Sequence, residues 1–118
     1  MKLYELIELS EEGQEITVTD TDYEMEIYFE NKDLKEMDAW DEAMIRISKL
    51  LDVVKIEKDF AVEVNLSKVI EDKIDEFEKS ELFIDCDIDS IMDDIENIFA
   101  GYVSEKWFAN FVEVLEGE

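Results

Sequence analysis

The chain changes its hydrophobic period several times, and each change marks an element. In residues 2–9, Leu3, Leu6 and Ile7 recur at helical spacing and predict a short helix; Ser10 to Gln14 reads as a turn, with Gly13 as the helix stop. The period then falls to two. Ile16 and Val18 alternate with Glu15, Thr17 and Thr19, and Tyr23, Met25, Ile27 and Phe29 alternate with Glu24, Glu26, Tyr28 and Glu30. Residues 15–20 and 23–30, joined at Asp20-Thr21-Asp22, therefore predict a β-hairpin. Asp38 is the expected N-cap of a helix carrying Trp40, Ala43, Met44, Ile47, Leu50 and Leu51. A second hairpin is expected from residues 53–57 and 60–66, with Phe60, Val62, Val64 and Leu66 on one side.

Helical spacing dominates the rest of the chain. Ser67 is the expected cap of a helix running to about Lys79, with Val69, Ile70, Ile74 and Phe77 inward, and Leu82-Phe83-Ile84 reads as a short extended piece. Ile88, Ile91, Met92, Ile95, Ile98 and Phe99 form the clearest amphipathic stripe, which Gly101 ends or kinks. Ser104 starts a last helix with Trp107, Phe108, Phe111, Val112 and Leu115 inward. The order αββαββααα predicts an α+β fold: an antiparallel sheet of about four strands, built from two hairpins, with helices packed on one face. There is no Pro, only three Gly and no linker-like stretch, so residues 1–118 read as a single domain.

Charge changes the picture more than composition does. The chain holds 35 Asp plus Glu against 11 Lys plus Arg and no His, a formal net charge of −24, while 47% of its residues are apolar. That apolar share excludes a disordered acidic tail. A small soluble domain needs a charge magnitude of only about 2 to 8, and the excess opposes compaction. Duplex DNA carries about one charge per 1.7 Å of axis, so 24 charges correspond to about 12 base pairs, or about 40 Å. A globule of this length has a diameter of about 35 Å. Phosphates would repel such a surface, so the expected partner is a basic nucleic-acid-binding protein and not nucleic acid itself. Charge serving solubility or salt adaptation alone is the plainer reading.

Other chemistry is thinly represented. One cysteine, Cys86, excludes an internal disulfide and suits a reducing cytoplasm, and it reads as a small buried hydrophobe. Without His, the common zinc sites and His-based triads are excluded. There is no Gly-rich phosphate loop and no nucleophile motif, and carboxylate pairs are inevitable among 35 acids, so no enzyme and no cofactor are expected. No apolar run approaches the roughly 18 residues of a membrane span, and the N-terminus lacks a signal-peptide pattern.

Two groups of acids are candidate sites. Glu24, Glu26 and Glu30 point the same way from the second strand, with Asp20 and Asp22 extending the row at the hairpin tip. Their two-residue step, about 6.6–6.8 Å, matches every second phosphate of a DNA strand. Residues 3–31 contain no Lys or Arg, whereas an ordinary solvated face mixes signs. The second group is Asp89, Asp93 and Glu96, an i, i+4, i+7 stripe on the amphipathic helix, where helix capping is a competing role for the first two. Asp85, Asp87, Asp89, Asp93 and Glu96 also occupy positions 1, 3, 5, 9 and 12 of a calcium loop. Ser90 stands where that loop requires Gly, and a chain this acidic produces such a match by chance roughly one time in four.

In size, acidity and cytoplasmic character the chain resembles the small phage and mobile-element proteins that block host defence by imitating DNA, such as anti-CRISPR inhibitors of Cas9 and anti-restriction proteins. The resemblance implies a target with a basic groove, such as the channel of a Cas9-type nuclease, and inhibition by competitive occupation. An immunity or antitoxin protein neutralising a basic nuclease toxin would use the same electrostatics.

Overall fold

The computed structural model describes residues 1–117. The elements in chain order are α1 (Leu3–Leu9), β1 (Glu15–Asp20), β2 (Ile27–Glu30), α2 (Ala39–Ser48), β3 (Val53–Lys58), β4 (Ala61–Val64), α3 (Leu66–Glu71), α4 (Ile74–Ser80), α5 (Ile88–Phe99) and α6 (Glu105–Glu116), with a 3₁₀ turn at Leu34–Glu36 before α2. The fold is α+β, as the periodicity predicts. Its radius of gyration is 13.7 Å and its extents are 38 × 31 × 24 Å.

The sheet is mixed, with strand order β2-β1-β4-β3. Both expected hairpins form, β1 with β2 and β3 with β4, each antiparallel. The expectation of a wholly antiparallel sheet is corrected where the hairpins meet, because β1 and β4 run parallel, with Val18 beside Val62. The chain between the hairpins passes through α2, and a helical crossover is what a parallel neighbour needs. Ile16, Val18, Ile27, Phe29, Val62 and Val64 are buried on the helix-covered face. Thr17, Thr19 and Glu63 stay half-exposed and Tyr28 exposed, so the opposite face has no helix over it.

Among the described residues, local side-chain caps account for three of the six α-helix starts. Asp38 caps α2 by accepting from the Asp41 N–H at 2.9 Å, and Ser104 caps α6 by accepting from the Trp107 N–H at 3.1 Å. The helix expected from Ser67 to Lys79 is instead two, broken at Asp72-Lys73. There is no Pro or Gly at the break; α3 packs against α5 whereas α4 packs against α6, and one straight rod cannot follow both. Phe60 is likewise not inward. It sits in the two-residue β3–β4 turn at φ 59°, 40% exposed, because the tight turn needs a left-handed residue and the segment offers no Gly. Leu82-Phe83-Ile84 forms no strand, and Ile84 is fully exposed. Beneath α6, the Phe77, Phe99, Phe108 and Phe111 rings stack and cross at 5.4–6.3 Å between centroids and form the core's aromatic centre.

Candidate functional site

Asp20 is corrected from a surface residue to a structural one. The alternation that turns Ile16 and Val18 inward also turns Asp20 inward, and only 6% of it is exposed. Its Oδ2 accepts from the Asp22 N–H at 2.9 Å and the Tyr23 N–H at 3.2 Å, and its Oδ1 accepts from the Ser67 N–H at 2.7 Å. Asp20 thus closes the turn after β1 and ties it to the first turn of α3, so Ser67 is held by a bond to its backbone and does not act as the cap expected of it. Asp22, one residue past Thr21, is exposed.

The expected even row along β2 is also modified. β2 begins at Ile27, so Glu24 and Glu26 lie on the irregular segment before it, and only Glu30 belongs to the strand. Alternating exposure persists through this segment, since Met25 is buried and Glu24 and Glu26 are exposed. The Tyr28 hydroxyl donates to Glu26 at 2.9 Å and props that carboxylate over the open sheet face. Glu30 is at the far end of β2, opposite Glu15 and beside Lys32.

Tertiary structure brings four exposed carboxylates to one shallow cleft of about 540 Å³: Glu24 and Glu26 from the hairpin, Glu57 from β3 and Glu96 from α5, with Thr19, Tyr23 and the buried Asp20 between them. Glu57 escaped the sequence reading. Its strand alternation was visible, but its approach to Glu26 depends on the β1–β4 pairing. Lys58 lines an adjoining hollow with Glu26, Glu57 and Thr17, so a cation stands at the margin.

Helix α5 supplies the other wall. Asp87, not Asp89 or Asp93, is its N-cap, accepting from the Ser90 N–H at 2.9 Å and the Ser90 hydroxyl at 3.0 Å. These bonds hold the Asp87 carboxyl below the usual carboxylate range. The Tyr23 hydroxyl donates to Asp89, joining the hairpin to the first turn of α5. That bond, with partial burial and the Asp89 charge behind it, pushes the Tyr23 phenol up to about 12. The Tyr28 phenol is also raised, first by its bond to Glu26. Asp93 and Glu96 follow Asp89 along the same exposed side of the helix.

Of the calcium-loop positions, Asp89, Asp93 and Glu96 stand on a regular helix and Asp87 is engaged as its cap. Among the described residues no group of three or more carboxylates or thiols is placed to hold a metal ion. Cys86 is half-buried, and burial followed by the nearby Glu78, Asp85 and Asp87 charges pushes its thiol up, away from a reactive thiolate.

Ion pairs lie elsewhere. Among the described residues they are Lys2–Asp52, Lys32–Asp41, Arg46–Glu116, Lys68–Asp72 and Lys79–Glu76. None includes Asp22, Glu24, Glu26, Glu57, Asp89, Asp93 or Glu96, so among the described residues the cleft carboxylates form no ion pair, with Lys58 the cation at their margin. Among the described residues no helix is long and apolar enough to cross a membrane. Comparison of the chain with protein-family models, with curated proteins and with solved structures finds no match.

Proposed function

We propose that this protein is an acidic DNA mimic that occupies the basic nucleic-acid-binding groove of a defence nuclease, a Cas9-type effector or a restriction enzyme, and so blocks DNA binding. The observation that carries the reading is a net charge of −24 on one compact body 38 Å long, close to the charge and length of one turn of duplex. The cleft acids support it, since Glu24, Glu26, Glu57 and Glu96 converge from three elements without an ion pair. Each carboxylate offers an Arg guanidinium the bidentate partner that a phosphate would offer. Glu57 and Glu96 are carried on β3 and α5, so their backbone positions are set before binding and the ordering left to association is that of exposed side chains.

Retention of target proteins from a host lysate at low and at high salt identifies the partner, and order of addition then tests the mechanism. Added before labelled duplex, the protein should prevent the target from loading; added after, it should leave the pre-formed complex largely intact. Full DNA binding regardless of order would rule out competition.

A further inference from the structure

A second surface lies on the other side of α5 from the acidic cleft. Ser90, Asp94 and Asn97 line a groove of about 460 Å³ between α5, the loop after α4 and the segment leading into α6. Its walls include Ile84, fully exposed, and Tyr102, 80% exposed. Beneath them the Phe83 and Trp107 rings meet edge to face at 5.4 Å, which makes the floor apolar and firm. Singly exposed apolar residues are ordinary, but two flanking a common aromatic floor form a patch that marks a contact site. The only charged residues in the lining are Asp85 and Asp94, and on its other side Ile84 borders a hollow with Glu78 and Glu81. The apolar groove is therefore rimmed by carboxylates.

We infer that this groove seats an apolar anchor side chain of the basic partner, carried on a segment whose flanking Lys and Arg residues meet the acidic rim. The inference rests on the charge-mimic reading and adds to it a source of specificity. Charge alone would attract any basic protein, whereas a shaped apolar pocket beside the charge selects one that presents the right side chain. A second copy of this chain is a poorer occupant, since it would bring another −24 against the same rim.

The probes are a lysine-rich peptide with a central Leu-Phe pair and its counterpart with Gly-Gly, measured by fluorescence anisotropy against the whole chain. The Leu-Phe peptide should bind at least about tenfold tighter, the effect of burying one apolar side chain. That advantage should persist at about 0.5 M salt, where surface charge attraction is screened. The double variant Ile84→Ser, Tyr102→Ser alters exposed side chains only, and an unchanged thermal melt confirms its fold; it should lose the Leu-Phe advantage and keep Gly-Gly binding. Equal affinity of the two peptides, or an advantage that survives in the double variant, overturns the groove assignment. So does self-association in sedimentation that the double variant abolishes, which would assign the groove to a second copy. Weak, salt-insensitive binding of the Gly-Gly peptide counts instead against the charge-mimic reading, so the two failures are distinguishable.

Discussion

Replacing Asp20 by Ala removes one carboxylate and strands three backbone donors, those of Asp22, Tyr23 and Ser67. A hydrogen bond to a charged acceptor contributes about 1.5–3 kcal/mol, and a buried donor left without a partner costs about 1–3 kcal/mol. The bond to the Ser67 N–H is buried, and its donor has no alternative partner of comparable geometry at the start of α3. The Asp22 and Tyr23 donors lie in a part-buried turn where water can replace much of what is lost, so they add about 1 kcal/mol together. The loss should total about 3 kcal/mol. Unfolding entropy of about 2.1 cal/mol/K per residue gives about 0.25 kcal/mol/K for 118 residues, so the melting temperature should fall by about 12 °C. Urea unfolding should show the lower midpoint at an unchanged slope, and Asp22→Ala, at an exposed position, should stay within about 0.5 kcal/mol of the parent. If Asp20→Ala were as stable as Asp22→Ala while weakening binding to the basic partner, the clamp would be wrong and Asp20 would belong to the binding surface.

Charge reversal of Glu24 and Glu26 to Lys should slow association with the lysine-rich Gly-Gly peptide several-fold at low salt and flatten its salt dependence, while leaving the fold intact or slightly stabilised, because both side chains are exposed and surrounded by like charge; stopped-flow binding across salt concentrations decides it, and an unchanged rate and slope would remove the hairpin from the interface. Tyr23 should be among the last tyrosines to ionise, near pH 12, in a tyrosinate absorbance titration. The folded phenol is held above its unfolded value of about 10, so this contribution to stability is complete below about pH 10 and declines as the pH rises toward 12. In Tyr23→Phe that alkaline decline should shrink, and an identical stability profile in the two proteins would break the link between the hairpin and α5.

Periodicity alone determined the element types and most of the core. Period-two alternation placed Ile16, Val18, Ile27 and Phe29 on the buried face, and the stripes of α5 and α6 were legible because each helix has one dry side. The cap chemistry of Asp38 and Ser104 was equally local. The alternation that buried Val18 already pointed Asp20 inward, but its acidity argued for the surface, and only the donors gathered around it resolve the conflict. The break between α3 and α4 had no signal in residue type, since it arises from two helices seeking two different packing partners. The site divides along the same line. An excess of carboxylate is a property of composition, and it was visible at once. Which carboxylates share a cleft was decided by the parallel pairing of β1 with β4 and by the seat of α5, because both join residues far apart in the chain, and local periodicity carries no information about such distances.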